Sequence, residues 1–589
     1  MPSSVSAAFP VTADLAPKTA GQLSFPTKLG LAAASALLLT LAFAPLSQFY
    51  LAWIGLVPWM LLVRSAQGAG RAFLWGCLGG AVFFGINLSY VVLDTIPGGI
   101  LFPIYTGLYW GLAAAMLSGL RVFDAPSTNE RSAVLLGRAL VIAIVWVAAE
   151  WLRGTLLTGM PMLYLGQTQA PFLAVCQIAD ITGVYGVAFC IALVNALIAL
   201  AVTRTYTRGA VFRSAAAVAA VIAAVIGYGI FRLSQDTLMP GPSVMVVQSN
   251  FPMKRGVKTV SQEEAIAFHI KATEEALAAH RGADLVVWSE TSMPPLNPEA
   301  REELRNYQAG PFLRSVHESL AALAVKHHTA LLTGGYYVGG WQPVNGRRTG
   351  TDIRNAAYLY DRTGAQAARY DKVHLVPFGE FIPFRESLPW LFKPFMWLGP
   401  NSADYTISAG PQTDLTVFEL PATNYALRLS GLRPPTTAEL ADTRGFAPAR
   451  FISPICFEDY LPSLVARMFR PRDGASTKGA DFIINLSNDG WFAYAEQAQH
   501  LQAAVFRSIE NRAPTARSVN TGISGFIDSR GRTHGLLDAH TAGTTVESLM
   551  LDRRTTIYTR VGDVFAIGCA IATVLLLIRR PLTRRKAIV

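Results

Sequence analysis

Two hydrophobic patterns divide this chain. Eight runs are apolar on every face: about 28–44, 50–64, 71–92, 98–121, 136–153, 176–203, 213–231 and 561–578. All but the second are long enough to cross a ~30 Å hydrocarbon core at ~1.5 Å per residue, so they read as membrane-spanning helices. The second run is short, and with the first it forms either two spans or one tight helical hairpin. Between 242 and 550 the pattern shortens. Apolar strands are expected at 243–248, 285–288, 330–333, 451–455 and 481–486, with helices near 261–280, 311–327 and 495–511. Runs 355–360 and 366–371 flank Asp361-Arg-Thr-Gly364, a hairpin turn signal. Strands alternating with helices predict a layered α/β domain.

The expected organisation is a disordered Ala/Ser/Pro-rich tail 1–27, a seven-helix membrane domain 28–232, the α/β domain 242–550, a last span 561–578 and a basic tail 579–589. Ala-Phe-Ala at 42–44 precedes Pro45, a poor cleavage position, so the first run reads as a span rather than a removed leader. Composition agrees with a membrane protein: 51% of residues are hydrophobic and 15% charged. The net charge of +11 is a topology signal. Arg64 and Arg71 bracket one loop, Arg121, Arg131 and Arg138 a second, and Arg204, Arg208 and Arg213 a third. Loops 45–49 and 93–99 have no Lys or Arg, and the loop after Trp151 has only Arg153. The positive-inside rule then makes both termini cytoplasmic and puts 242–550 on the outer face. Arginines spread over membrane loops do not form a nucleic-acid footprint, so no nucleic acid partner is expected.

Cys77, Cys176, Cys190 and Cys569 lie in apolar spans, whereas Cys456 does not. A lone thiol is either an inert packing residue or a reactive one. Cys456 ends the run FISPIC and meets Glu458 and Asp459, a strand-to-helix turn at which a helix N-terminus would lower the thiol pKa. In ADLVVWSETSMP, strand Leu285–Trp288 delivers Glu290 to its C-terminal end, where open α/β sheets place chemistry. Lys372 leaves a polar strand for an apolar, proline-marked loop that also carries Glu380. Singly, a strand-end glutamate is often a cap and a loop lysine is usually solvated; Glu, Lys and Cys across three strand ends are more specific. His374 offers a rival Cys–His dyad. No CxxC or HExxH occurs, so neither a metal nor a cofactor is expected. Glu150 and Arg153 either pair structurally or meet a lipid headgroup. Asn485, Asn488 and Asp489 either shape the pocket or make Asx turns. Segment 384–398, dense in aromatics, is either a loop packed on its own domain or an interfacial lid with Trp390 and Trp397 towards lipid.

The segments KVHLVPFGEFIPF, ICFEDYLP, NLSNDGWF and ARSVNTGISGFIDSRGR resemble the membrane-embedded branch of the nitrilase (carbon–nitrogen hydrolase) superfamily, the bacterial apolipoprotein N-acyltransferases. The resemblance covers about 244–545 and extends to the flanking spans. It implies an α-β-β-α sandwich beside a polytopic helical membrane domain. It also implies a Glu-Lys-Cys triad of Glu290, Lys372 and Cys456, with Glu380 and Glu458 orienting Lys372 or the incoming amine. The expected reaction takes an acyl chain from a phospholipid and passes it, through a Cys456 thioester, to a diacylglyceryl-modified apolipoprotein. The implied setting is the bacterial inner membrane, with the catalytic domain on the periplasmic face of a monomer. Two departures stand out: Phe457 occupies a position where the family often has tyrosine, and 424–447 looks like an inserted surface loop. The rival functions are a membrane-tethered amidase, for which eight spans are excessive, and a transporter, whose spans should carry more buried charge.

Overall fold

The computed structural model describes residues 23–586 except 95, 125–131, 158, 204–205, 252, 255–256, 259, 281, 345–346, 378, 382–406, 422–447, 473 and 492–493. The aromatic segment 384–398, with Trp390 and Trp397, and the segment 424–447 lie outside the described residues.

Among the described residues, six helices are long and apolar enough to cross a membrane: α1 Phe25–Ala42, α2 Ala69–Asn87, α3 Ile96–Gly119, α4 Ser132–Thr155, α5 Val184–Val202 and α6 Arg208–Ser234. A further apolar helix, Val564–Lys586, follows the α/β domain. The chain is therefore a multi-pass membrane protein. Large apolar side chains such as Phe212, Phe231, Ile571 and Leu575 remain exposed on these helices, as lipid contact requires.

Helices α2 and α3 pack closely because small residues face each other. A Cβ on Gly76 would come within 2.8 Å of the Trp110 carbonyl oxygen, and one on Gly107 within 2.8 Å of that of Cys77. The run 50–64 is not one helix. It forms a 3-10 turn and two short helices, Ala52–Gly55 and Val57–Arg64. Asn195 of α5 serves the break: its Oδ1 accepts from the Leu56 N–H (2.8 Å) and its Nδ2 donates to the Ala52 carbonyl (2.9 Å). Broken helices survive at membrane depth only with such partners. The run 176–203 is likewise interrupted, at Gly183 (φ 65°), just before α5. Glu150 and Arg153 both serve the backbone of the loop after α4. Arg153 donates to the carbonyls of Met160, Met162 and Leu163 (2.6, 2.5 and 3.3 Å), and Glu150 accepts from the Leu165 N–H (2.8 Å).

The second part is a two-sheet sandwich. Its strands are β1 Leu238–Gln248, β2 Leu285–Trp288, β3 Ala330–Val344, β4 Arg347–Tyr360, β5 Gln366–Asp371, β6 Phe418–Leu420, β7 Ala449–Ile452, β8 Phe482–Ser487, β9 Thr515–Val519, β10 Gly525–Ile527, β11 Thr533–His534 and β12 Gly543–Asp552. The first sheet runs β12-β1-β2-β3-β4-β5 and the second β11-β10-β9-β8-β7-β6. The central strands β1, β2 and β3 are parallel, as are β7, β8 and β9. Val246, Val287 and Leu332 of the first sheet meet Phe451, Ile484 and Phe526 of the second in one core. The other face of the first sheet is covered by helices α7 Gln262–Ala279 and α8 Ala309–His327. Helix α7 starts at a capping box in which Ser261 and Glu264 satisfy each other's free N–H.

The second sheet is backed by helices Pro462–Phe469 and Tyr494–Asn511. Beyond Tyr494–Asn511 lies the membrane bundle itself: Ala503, Phe506 and Ile509 share a core with Phe43, Val184 and Ile191. Polar bonds cross the same boundary. Gln502 accepts from the Ala44 N–H (3.1 Å), Glu510 from the Val184 N–H (2.9 Å), and Arg512 pairs with Asp180 (2.7 Å). The helix ends that meet the sandwich are thus those poor in Lys and Arg.

Candidate active site

Three strand ends converge where the sheets meet the membrane bundle. Glu290 follows β2 by two residues, at a tight turn where Thr291 has φ 49°. Gly334 of β3 makes room for this turn, since a Cβ there would lie 2.7 Å from Glu290 Cα. Lys372 directly follows β5, and its N–H donates to the Asn355 carbonyl (2.8 Å). Cys456 follows β7 and opens a five-residue 3-10 turn, Cys456–Tyr460. Its φ is +51°, a left-handed conformation that costs a non-glycine residue ~1–3 kcal/mol and persists only when its surroundings impose it.

All three side chains are buried. Lys372 Nζ donates to Glu380 Oε1 at 2.7 Å and to Glu290 Oε1 at 3.4 Å. Burial opposes its charge, but Glu380 and Glu290 outweigh burial and hold it as an ammonium, well above the ordinary lysine value. Glu380 is itself fixed by the Val376 N–H (2.8 Å). Glu290 accepts from Asn355 Nδ2 (2.5 Å) and, at its other oxygen, from the Asn488 N–H (2.9 Å). Burial raises its pKa, opposed by Lys372, Asn355 and Cys456 and aided by Glu380. A carboxylate of raised basicity beside a thiol is suited to removing its proton.

The expected lowering of the Cys456 pKa by a helix N-terminus is not found. Burial, followed by the charge of Glu290, pushes the thiol well up, with Asp489 adding to this and Lys372 opposing. One 3-10 turn brings too little dipole to reverse that balance. Cys456 is thus held as a neutral thiol.

Glu458 ties the two halves together. Its Oε1 accepts from the N–H groups of Val373 (2.8 Å) and His374 (3.0 Å), and its Oε2 from that of Ile455 (2.8 Å). The Tyr370 hydroxyl reaches both oxygens, at 2.9 and 3.0 Å. Burial pushes Glu458 up to about 7 against these donors and Lys372. The structure thus brings Glu290, Lys372, Cys456, Glu380, Glu458 and Asn488 together. Asn488 takes part through its backbone, while its side-chain oxygen accepts from Asn520 (3.0 Å). The His374 ring stacks on Phe457 (6.0 Å, 20°). Sequence reasoning missed Asn355 and Tyr370; Asn355 sits at the start of an expected strand, where an inward polar residue was the available signal.

Two family descriptions match this chain: "Apolipoprotein N-acyltransferase N-terminal domain" over residues 35–197 and "Carbon-nitrogen hydrolase" over 244–558. An apolipoprotein N-acyltransferase of Bradyrhizobium diazoefficiens is 31% identical over 459 residues, covering 76% of this chain and 74% of that one. The chain belongs to the apolipoprotein N-acyltransferase family. A further member, from Geobacter metallireducens, is 28% identical over 549 residues and covers 92% of both chains. Membership makes this protein an acyltransferase built on a nitrilase-like sandwich, and the buried Glu–Lys–Cys cluster lies inside the matched carbon–nitrogen hydrolase region.

Proposed function

We propose that the protein transfers a fatty acyl group from a phospholipid to the α-amino group of the N-terminal S-diacylglyceryl-cysteine of an apolipoprotein, through a thioester on Cys456. The observation that carries this reading is the convergence of Glu290, Lys372 and Cys456 at strand ends that open against the membrane helices. In the first half-reaction Glu290 takes the thiol proton and sulfur attacks the ester carbonyl carbon. The oxyanion forms beside the Lys372 ammonium. Collapse breaks the carbon–oxygen bond, and Glu290 returns the proton to the leaving lysolipid alcohol. In the second half the amine attacks the thioester, Glu290 takes an amine proton, the carbon–sulfur bond breaks, and the thiolate is reprotonated.

Family membership supports the acceptor, and the lipid-facing helices support a donor drawn from the bilayer. The reading also places the protein as a monomer in a bacterial inner membrane with the sandwich on the periplasmic side, in keeping with the arginine-poor helix ends beneath it. Mass spectrometry of the purified protein after incubation with phospholipid tests it. A fatty-acyl adduct on Cys456 that is cleared by a diacylated lipopeptide, yielding the triacylated product, is expected. Discharge to water alone would make the protein a hydrolase, and full acylation by Cys456→Ala would refute the nucleophile.

A further inference from the structure

A cavity of about 420 Å³ lies in the seam between the membrane bundle and the sandwich, and none of its lining residues belongs to the Glu–Lys–Cys cluster. Its size is that of a small-ligand site. The membrane side contributes the loop that follows α1, at Pro45, and the loop before α5, at Pro171 and Leu173. The sandwich contributes helix Tyr494–Asn511 and the β10–β11 turn, at Arg532.

Helix Tyr494–Asn511 walls the cavity off from the catalytic turn. Glu496, His500 and Arg507 face the turn Cys456–Tyr460: Glu496 accepts from the Tyr460 hydroxyl (2.8 Å), the His500 ring stacks on that of Tyr460 (4.5 Å), and Arg507 donates to the Tyr460 carbonyl (3.1 Å). Ala498, Leu501, Gln502 and Val505 line the cavity. At ~100° per residue the two sets lie on opposite faces of the helix.

The lining is mostly apolar, with two polar groups placed within it. Gln502 is only 6% exposed; its Oε1 accepts from the Ala44 N–H (3.1 Å), and its Nε2 has no partner among the described residues. A buried donor without an acceptor is rare in folded proteins. Arg532 supplies the cation, and among the described residues no acidic side chain lines the cavity. Asp528 approaches Arg532 only to 3.6 Å and commits its other oxygen to the N–H groups of Arg530 and Arg532 (both 2.8 Å). A guanidinium is suited to phosphate. The mouth lies where membrane helices end. Helix α1 closes at Ala42, Leu46 and Tyr50 just beyond it are exposed, and Phe49 packs on Phe172 (5.8 Å) of the second loop. An exposed tyrosine at such a helix end belongs at headgroup level.

We propose that this cavity is a second lipid site, which seats a phospholipid of the leaflet on the sandwich side. The phosphate lies at Arg532, an ester carbonyl accepts from Gln502 Nε2, and the acyl chains pass Leu46 and Tyr50 into the bilayer. The helix between them keeps this lipid from Cys456, so it is not the one that reacts. It fastens helix Tyr494–Asn511 and the β10–β11 turn to the end of α1, and as a ligand of the assembled junction alone it stabilises that junction by mass action.

The test photolyses full-length protein in vesicles containing a phosphatidylglycerol with a diazirine near its glycerol, and maps adducts by peptide mass spectrometry. Bulk lipid reaches Leu46 and Tyr50, so the readout is Gln502 and Val505, which are buried. Adducts on these two are expected, and their absence overturns the proposal. Ala498→Trp fills the cavity and should abolish them. Arg532→Ala, at an exposed position, decides if Ala498→Trp does not fold: labelling should fall by about threefold or more, and unchanged labelling overturns the proposal. A diazirine diacylglycerol lacks the phosphate and should label Gln502 far less; equal labelling overturns the phosphate assignment. The acyl adduct on Cys456 is followed in the same samples. Arg532→Ala should form it within about twofold of wild type, whereas a fall of about tenfold would make the cavity part of the donor's path and overturn a separate site. Absence of any adduct on wild-type Cys456 would refute the proposed function and leave the crosslinks to judge this one.

Discussion

Glu458 is the side chain that holds the Lys372 and Cys456 segments together, and its removal should be costly in a calculable way. Glu458→Ala deletes the acceptor for the N–H groups of Val373, His374 and Ile455 and for the Tyr370 hydroxyl. Three buried N–H groups left without partners at ~1 kcal/mol each, with a small cavity term, give a loss of ~3–5 kcal/mol in stability. Val373 and His374 follow Lys372, and Ile455 precedes Cys456, so the distance between ammonium and sulfur loses its tie. Displacement by ~1 Å is worth ~100-fold in rate, the expected fall in acyl-enzyme formation. Glu458→Gln keeps the shape and removes the charge. Burial raises the wild-type carboxyl from 4.5 to about 7. A folded value above the unfolded one means a contribution fully present below pH 4.5 and lost as pH rises through about 7. At ~1.4 kcal/mol per pH unit, wild type should lose ~3 kcal/mol relative to Glu458→Gln between pH 4.5 and 8. Denaturation in detergent at several pH values measures the second effect, and timed mass spectrometry of the adduct the first. Glu458→Ala acylating within about threefold of wild type with an unchanged Tm, far short of the ~100-fold expected, would refute the tie. A flat wild-type-minus-Gln difference across that interval would refute the electrostatics.

Lys372→Met should lower acyl-enzyme formation by ~10²–10³-fold while phospholipid binding persists, and near-normal rates would remove Lys372 from oxyanion stabilisation. The acid limb of the acylation rate should lie above the ordinary carboxylate range, because burial raises Glu290 and the base must be ionised to accept a proton; stopped-flow or quench sampling from pH 4 to 9 reads it. Asp180→Ala strands Arg512 and Arg232, which it holds at 2.7 and 2.6 Å, and should cost ~3–5 kcal/mol in thermal or denaturant unfolding, with Asp180→Asn milder.

Strand ends made much of the site legible. Leu285–Trp288 is an uninterrupted apolar run, so Glu290 stands out as the first charge beyond it; Cys456 ends the largely apolar FISPIC, and Lys372 stands where a polar strand gives way to an apolar loop. The hairpin was less visible: β3 and β4 extend to Val344 and from Arg347, through residues with no alternation, because these arms leave the sandwich and bury little. Helix Tyr494–Asn511 was found, but its surroundings were not. Glu496, Gln497, His500, Arg507, Ser508 and Glu510 are all buried, yet their polarity reads in sequence as a solvated face. Glu496, His500, Arg507 and Glu510 are matched by partners far along the chain, and pairings such as Arg512 with Asp180 or Arg517 with Asp459 leave no periodic trace. Burial likewise reversed the expected effect on the Cys456 thiol, because the turn it opens is short and its neighbours are acidic.

A helix whose outer face is roofed by another part of the chain cannot finish folding before that roof exists. Phe506 and Ile509 would each forfeit ~1.5–3 kcal/mol if left in water, and Glu510 and Arg512 would lose Val184 and Asp180. The spans up to Ser234 leave the ribosome first, so the sandwich closes on a floor already laid in the bilayer, and Val564–Lys586 then seals the assembly against α4. Biogenesis therefore has a direction: insertion comes first and the sandwich is completed on it, which ties a finished Glu–Lys–Cys cluster to successful delivery to the membrane.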